Sequence, residues 1–195
     1  MRRAAFLDRD GVINIDPGYV YRIEDFEFVA GTFEACAQLV RRGWLLVVVT
    51  NQSGIGRGLY TERDFSLLTD WMRERFAEAA APLAAVYFCP HHPTDALDGF
   101  RIQCACRKPG PGMLLAAARE LSLDLAQSIL FGDKCEDMQA ARAAGIAHRV
   151  LLGKDGQAVP VNCNEPGLAA ACFASLREAV ASPTLASILG EPLHV

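Results

Sequence analysis

Residues 4–11 read Ala-Ala-Phe-Leu-Asp-Arg-Asp-Gly, a short apolar run that ends directly in two carboxylates and a glycine. A run of this length bounded by polar residues is typical of a buried strand. Asp8 and Asp10 are two positions apart, so a strand that continues through them projects both carboxylates to the same side. Such a pair favours a Mg²⁺ ion, or a nucleophile beside a general acid. A solvated loop after a strand is the alternative interpretation.

Further short apolar runs follow along the chain and alternate with longer helix-like segments. We predict strands at residues 4–7, 45–49, 85–88, 128–131 and 148–152, and helices at residues 32–42, 61–81, 112–121 and 136–144. This alternation indicates βαβ units and predicts an α/β fold with a doubly wound parallel sheet. The length of 195 residues predicts a single domain over residues 1–195. A last amphipathic helix is expected at residues 173–181, with a proline-punctuated tail after it.

Composition and charge argue against several classes of protein. Hydrophobic residues make up 51% of the chain and charged residues 22%, as in ordinary globular domains. The net charge of −4 and the absence of a basic stripe disfavour a nucleic-acid partner. No apolar run approaches the ~18 residues that a membrane span requires, and Asp8 interrupts the first run too early for a signal peptide. We expect a cytoplasmic protein with no membrane partner, and a monomer.

Polar residues stand at the carboxyl ends of the predicted strands, where ligands bind in open α/β sheets. Thr50 and Asn51 follow the second run, and residues 54–58 add a glycine-rich loop with a guanidinium. Lys108 contributes a compact positive charge and Asp133 a third carboxylate. This set of groups fits Mg²⁺-assisted phosphoryl transfer better than acyl or hydride transfer.

A group of cysteine and histidine residues indicates a metal site in the second half of the chain. Cys89-x-His91 and Cys104-x-Cys106 supply three sulfurs and one nitrogen, which is enough for a closed, structural Zn²⁺ site. The alternatives are a group of buried reduced cysteines, or a site in which His92 replaces His91. We expect a zinc loop within about residues 89–106 that orders the following residues, Arg107 and Lys108. The other cysteines are expected to be ordinary core or surface residues without a disulfide: Cys36, Cys135, Cys163 and Cys172.

Several motifs occur together and in a fixed order along the chain. They resemble the four motifs of the haloacid dehalogenase superfamily phosphatases: Asp8-x-Asp10-Gly11, Thr50-Asn51, Lys108, and Gly132-Asp133 with Asp137. The resemblance implies a haloacid dehalogenase-like, Rossmannoid fold with a zinc-binding loop and no large cap domain.

The resemblance also implies a role for each matching residue. Asp8 would be the nucleophile that forms an aspartyl-phosphate, and Asp10 the general acid and base. Mg²⁺ would be held by the carboxylates of Asp8 and Asp133 and by the main-chain carbonyl of Asp10. Thr50 and Lys108 would hold the transferring phosphoryl group.

A zinc loop between the second and third motifs is found in two groups of these phosphatases. From Phe6 to about Leu152 the chain resembles the heptose 1,7-bisphosphate 7-phosphatases, with matches at Thr50-Asn51-Gln52-Ser53-Gly54-Ile55, Cys89-Pro90-His91-His92-Pro93 and Cys104-x-Cys106-Arg107-Lys108-Pro109. This resemblance implies Mg²⁺-dependent removal of the C7 phosphate from D-glycero-D-manno-heptose 1,7-bisphosphate. The product would enter nucleotide-activated heptose or lipopolysaccharide core synthesis. The same resemblance implies that His91, and not His92, is the zinc ligand.

A bisphosphate substrate needs a second anion site away from the Mg²⁺ ion. Arg57, Arg107 and Lys134 are spare cations near the predicted mouth of the site. Arg107 is our candidate for the phosphate that is not transferred, because a guanidinium makes bidentate contacts. We expect Asn51 and Ser53 to contact the substrate as well.

Other functions remain as alternatives. A histidinol-phosphate phosphatase is similar in the first motif and the zinc loop, but its cationic substrate would prefer fewer cations at the mouth. A non-catalytic, zinc-stabilised interaction module has no use for both Asp8 and Asp10. A polynucleotide 3′-phosphatase is disfavoured by the negative charge of the chain.

Overall fold

The computed structural model describes residues 2–153 and 167–192, and its strands form one parallel sheet. The order across the sheet is β3-β2-β1-β4-β5-β6, which is the order of a doubly wound fold. The strands of the described residues are β1 (Ala4–Leu7), β2 (Leu45–Asn51), β3 (Leu83–Cys89), β4 (Ile129–Gly132), β5 (His148–Leu152) and β6 (Ala171–Phe173).

The position of β1 in the sheet determines where the polar strand ends meet. The chain moves outward from β1 through β2 to β3, and then returns to place β4 on the other side of β1. Leu7 is therefore in register with Val48 of β2 and with Phe131 of β4. Connections that leave in opposite directions at this point open a crevice at the carboxyl edge of the sheet. Asp8 and Asp133, which follow β1 and β4, both border this crevice.

Helices cover both faces of the sheet. In β1, Ala5 and Leu7 pack into the core on one face, and Ala4 and Phe6 into the core on the other. The first core takes residues from α1, α3, α6 and α7, and the second from α4 and α5. The helices are α1 (Thr32–Arg41), α2 (Ser53–Gly56), α3 (Glu62–Glu78), α4 (Gly112–Leu121), α5 (Cys135–Ala143), α6 (Leu176–Ala181) and α7 (Pro183–Leu189). No large cap domain is present in the two described ranges.

The C-terminal part of the chain differs from the sequence-based prediction. The helix predicted at residues 173–181 is confirmed only from Leu176 to Ala181, because Ala171–Phe173 is a strand that extends the sheet beside β5. The helix starts only at Leu176, where the Ser175 hydroxyl accepts from the Glu178 amide as an N-cap. Instead of a tail, Ser182 caps a further helix that begins with Pro183.

The expectation for the remaining cysteines is also corrected in one place. Cys135 is disulfide-bonded, whereas Cys36 is a free, buried thiol and Cys172 a free, exposed one. Cys163 lies outside the described residues. In the described ranges, none of the helices combines the length and the hydrophobicity needed to cross a lipid bilayer.

Candidate active site

A lysine and two carboxylates meet at the floor of the crevice. The Lys108 Nζ atom is 2.9 Å from Oδ1 of Asp8 and 2.5 Å from Oδ1 of Asp137. It also donates to the Val49 carbonyl at 2.9 Å. Oδ1 of Asp8 accepts a second bond from the Arg9 amide. Both of these contacts are on Oδ1, which leaves Oδ2 of Asp8 as the oxygen that could face a ligand.

Asp133 brings a third buried carboxylate to the same place. Carboxylate oxygens of Asp8, Asp133 and Asp137 lie within 4.8 Å of one another. Oδ1 of Asp133 is buried without a hydrogen-bond partner in the described part of the chain. An orphaned, buried carboxylate oxygen is costly unless a cation satisfies it. Gly11 has a φ of +92°, and a Cβ there would overlap the Asp133 carboxylate. The donor set therefore fits a hard cation such as Mg²⁺.

Burial controls the protonation of these groups. It raises the pKa of Asp8 to about 6, against the opposing effect of the Lys108 ammonium. Burial, followed by the charge of Asp8, raises the pKa of Asp133 to about 7. Burial alone would lower the pKa of Lys108, but the carboxylates of Asp137 and Asp8 outweigh it and raise that pKa. Lys108 is therefore charged at neutral pH.

Asp10 is held by donors on both of its oxygens. The Arg9 guanidinium makes a bidentate contact, in which Nε donates to Oδ1 at 3.1 Å and Nη2 donates to Oδ2 at 3.0 Å. The Asn14 amide donates to Oδ1 at 3.2 Å, and the Gln52 amide donates to Oδ2 at 2.9 Å. Arg9 is itself fully buried, between the rings of Phe26 and Phe65. Asp10 is therefore fixed in orientation at the edge of the crevice.

A cavity of about 420 Å³ stands above this floor. Most of the predicted site residues line it: Asp8, Asp10, Thr50, Asn51, Ser53, Arg107, Lys108 and Lys134.

Asn51 has a structural use besides lining the cavity. Its side-chain oxygen accepts from the Lys108 amide at 3.0 Å, and its nitrogen donates to the Lys108 carbonyl at 3.1 Å. The peptide bond from Lys108 to Pro109 is cis. The Asn51 side chain therefore positions the backbone that carries Lys108, a use that the sequence did not indicate.

Two of the three predicted spare cations are at the mouth. Arg107 lines the cavity and is anchored through Nη1 to the His91 carbonyl at 3.1 Å. Lys134 also lines it, half exposed, with Nζ 3.8 Å from Asp16. Arg57 is not among the lining residues. Its guanidinium pairs with Asp95 and lies 5.8 Å from the ring centroid of Tyr19, which does line the cavity.

The structure brings Cys89, His91, Cys104 and Cys106 into one cluster. The three Sγ atoms are 3.2 to 3.5 Å apart, too far for a disulfide of about 2.0 Å. Zn–S bonds of about 2.3 Å would place ligand sulfurs roughly 3.8 Å apart. The cluster therefore fits a tetrahedral zinc ion if the three Sγ atoms move slightly apart. Nδ1 of His91 faces two of the sulfurs. Nδ1 of His92 instead accepts from the Asp95 amide at 2.9 Å.

Sequence reasoning missed several members of the site. Asp137 was noted as part of a motif but not as the partner of Lys108. Arg9, Gln52 and Tyr60 were given no role, although all three belong to the hydrogen-bond network around Asp10. The signal for Arg9 was its position between two acidic residues, where a buried cation can pair with either.

Comparison with curated proteins gives similar chains over most of the length. A protein from Vibrio cholerae serotype O1, named D-glycero-beta-D-manno-heptose-1,7-bisphosphate 7-phosphatase, is 47% identical over 175 residues, which cover 90% of this chain and 92% of the relative. A protein of the same name from Escherichia coli K12 is 52% identical over 149 residues, covering 76% and 78%. A family model described as HAD-hydrolase-like matches residues 105–179.

Solved structures show the same similarity. A D,D-heptose 1,7-bisphosphate phosphatase from B. bronchiseptica, complexed with magnesium and phosphate, superposes with a TM-score of 0.79 at 33% identity, covering 91% of this chain and 96% of that chain. The enzyme of that name from Burkholderia thailandensis has a TM-score of 0.65 at 28% identity, covering 92% and 96%.

Proposed function

Since the chain belongs to the D-glycero-beta-D-manno-heptose-1,7-bisphosphate 7-phosphatase family of HAD-like hydrolases, we propose that it removes the C7 phosphate of heptose 1,7-bisphosphate. The heptose 1-phosphate that remains would supply nucleotide-activated heptose for lipopolysaccharide core synthesis. The observation that carries the chemistry is the meeting of buried Asp8, Lys108 and Asp133 at the switch point of the sheet, where Asp8 and Lys108 line the cavity and the Asp133 carboxylate lies beside that of Asp8.

In the first step, Oδ2 of Asp8 attacks the phosphorus and the bond from phosphorus to the C7 oxygen breaks. Asp10 donates a proton to the leaving alkoxide, and an aspartyl-phosphate forms on Asp8. In the second step, Asp10 takes a proton from water, which attacks the phosphorus and releases phosphate and the Asp8 carboxylate. A carboxylate nucleophile thus divides one difficult displacement into two easier steps.

Positive charge is needed beside the phosphoryl oxygens in both steps. Lys108 supplies it from the floor, and Thr50 supplies a hydroxyl at the wall. The carboxylates of Asp8 and Asp133, with the Asp10 main-chain carbonyl, would hold Mg²⁺. Bound there, Mg²⁺ supplies charge that neutralises the transferring group. Asp137 keeps Lys108 charged and in place.

We assign the second phosphate of the substrate to the mouth of the cavity. Arg107 and Lys134 both line it, and Arg107 offers a planar fork for an anion. Its anchor on the His91 carbonyl connects it to the zinc loop. Arg57 is assigned instead to the surface pair with Asp95.

The experiment is to incubate the purified protein and Mg²⁺ with heptose 1,7-bisphosphate and to follow the products by phosphorus NMR. We expect the C7 signal to be replaced by free phosphate while the C1 phosphate remains. Histidinol phosphate serves as the competing substrate in a parallel assay. A higher kcat/KM for histidinol phosphate, or loss of the C1 phosphate first, would contradict the proposed substrate.

A further inference from the structure

The Gln52 side chain lies between two members of the proposed catalytic machinery. Its Nε2 atom donates to Oδ2 of Asp10 at 2.9 Å and to Oγ1 of Thr50 at 2.8 Å. Gln52 is buried, so solvent does not compete for these bonds. An amide nitrogen has two N–H donors, and both are used here. Gln52 therefore connects the end of β2 to the loop that follows β1.

The orientation of this amide is determined by Tyr60. The Tyr60 hydroxyl donates to Oε1 of Gln52 at 2.6 Å. Burial raises the pKa of Tyr60 to about 12, so its hydroxyl remains a donor at neutral pH. The Tyr60 ring stacks on Tyr21 with centroids 5.0 Å apart, and a Cβ on Gly54 would overlap the Tyr60 ring. Because the Tyr60 ring is held in place and its hydroxyl needs an acceptor, Oε1 of Gln52 must face Tyr60, and Nε2 must face Asp10 and Thr50.

This orientation has a consequence for each partner of Gln52. The Thr50 oxygen is already an acceptor, so its own proton is free for an oxygen in the cavity that Thr50 lines. The Arg9 guanidinium, which is buried, donates hydrogen bonds to both oxygens of Asp10 from the protein interior. The Gln52 amide holds Oδ2 of Asp10 on the side of Thr50, where the phosphoryl group would bind.

We propose that Gln52 and Tyr60 are positioning residues: the Tyr60 hydroxyl fixes the Gln52 amide, which in turn holds Asp10 for proton transfer to the leaving oxygen. The inference rests on the proposed function, because it takes Asp10 as the proton donor in phosphoryl transfer. In Tyr60→Phe the amide gains a second orientation and Asp10 loses a fixed donor. The hydrogen bonds and ion pairs of Asp8 and Lys108 involve neither Gln52 nor Tyr60, so we expect both residues to remain in place.

The test compares two esters that differ in their need for a proton donor. A primary sugar phosphate leaves as an alkoxide and requires the acid, whereas p-nitrophenyl phosphate leaves as a stable anion and does not. The ratio of kcat/KM for the two esters reports Asp10 function in the step that forms the aspartyl-phosphate. We expect this ratio to fall about tenfold in Tyr60→Phe and further in Gln52→Met, within the contribution of general acid catalysis.

Tyr21→Phe is the matched control, because it removes a hydroxyl from the ring stacked on Tyr60 without altering the Gln52 amide. We expect its ratio to equal that of the wild type. An equal loss of kcat/KM for both esters in Tyr60→Phe, or an unchanged ratio in both Tyr60→Phe and Gln52→Met, would overturn the inference. A wild-type protein that hydrolyses neither ester would overturn the proposed function itself, and the inference with it.

Discussion

Lys108, Asp8 and Asp137 compensate one another's charge at the floor of the cavity. The ammonium is 2.9 Å from one carboxylate and 2.5 Å from the other, and all three side chains are buried. Such a buried cluster adds little stability compared with apolar residues, but removal of one member leaves an uncompensated charge. Lys108 is the one cation shared by two carboxylates in this group, so the cluster depends on it for folding as well as for chemistry.

Replacement of Lys108 tests this dependence. We expect Lys108→Met to lower the free energy of unfolding by about 3 kcal/mol and to abolish phosphatase activity, because two buried carboxylates lose their counter-charge. Lys134→Met, which removes a half-exposed lysine at the same site, should change stability by less than about 0.5 kcal/mol. Urea denaturation near neutral pH measures both. A Lys108→Met protein as stable as Lys134→Met would contradict the assignment.

The raised pKa values of Asp8 and Asp133 couple Mg²⁺ binding to pH. A carboxyl with a raised pKa in the folded state binds a proton that Mg²⁺ must displace. Affinity for Mg²⁺ should therefore fall as the pH drops through about 7 and then about 6. Without metal, the contribution of these groups to stability is lost as the pH rises through the same values.

We expect Mg²⁺ at a fixed, subsaturating concentration to raise Tm by more at about pH 8 than at about pH 5.5, because ligand binding stabilises in proportion to affinity. Asp133→Asn should remove the Mg²⁺-dependent shift at both pH values. Asp70→Asn, on the exposed face of α3, is the control and should retain it. A shift of equal size at both pH values in the wild type would argue against these carboxylates as the binding site.

The sequence predicted the members of the site that stand at strand ends. Asp8 and Asp133 follow β1 and β4, and Thr50 lies near the end of the neighbouring β2. The order of motifs along the chain was enough to predict that they come together. It did not predict Gln52 as a partner of Asp10, or Tyr60 as the partner of Gln52, because these contacts depend on amide orientation and ring stacking. These contacts depend on the folded positions of α2 and the start of α3.

Two local elements contact the site: the turn after β1 and the loop of residues 89–106 before α4. The turn brings the Gly11 backbone against the Asp133 carboxylate in a left-handed conformation, with φ of +92°. The loop carries the Cys/His cluster, and the His91 carbonyl anchors the Arg107 guanidinium. The backbone of each element therefore contacts one side chain of the site: Asp133 in the case of the turn, and Arg107 in the case of the loop.

Gly11→Ala should disturb the proposed Mg²⁺ site directly. Its new Cβ meets Asp133, whereas in Gly145→Ala, with φ of +84°, the Cβ meets nothing within 4 Å. Both variants should lose about 1 kcal/mol of stability from left-handed strain. Only Gly11→Ala should also lose Mg²⁺ affinity, measured by calorimetry at constant pH. Equal Mg²⁺ affinities in the two variants would contradict the close contact.

Zinc analysis tests the loop. We expect about one equivalent of Zn²⁺ per chain, as for a closed four-ligand site. Cys104→Ser should lose the zinc, become sensitive to proteolysis within residues 89–106, and show a raised KM for the bisphosphate because Arg107 loses its anchor. Cys172→Ser changes an exposed, free cysteine in β6 and should keep all three properties. Full zinc content in Cys104→Ser would remove that residue from the ligand set.

The strands and central helices followed from apolar periodicity because burial on both faces produces continuous apolar runs. Two predicted strands, Ala4–Leu7 and His148–Leu152, and the helix Gly112–Leu121 agree with the structure in both bounds. The strand at the C-terminal end could not be predicted from apolar periodicity, because the three-residue β6 is too short for a periodic signal. Its strand character comes from pairing with β5 in the sheet.

The whole molecule brings the site together through the order of its strands. β1 and β4 are neighbours although their sequences are far apart, and their carboxyl ends carry the proposed nucleophile and the proposed metal ligand. The sequence predicted a doubly wound sheet, but the order across it depends on pairings that local periodicity does not encode. Both cores share this one sheet, and we propose that the chain folds as a single domain.

The most direct test of the account is a rapid acid quench during a single turnover, followed by mass spectrometry of proteolytic peptides. We expect a phosphoryl group on the peptide that contains Asp8, and none on any peptide of Asp8→Asn, which should also lose turnover. A turning-over enzyme whose phosphoryl group lies on another residue, or an Asp8→Asn protein that retains most of its activity, would contradict the account.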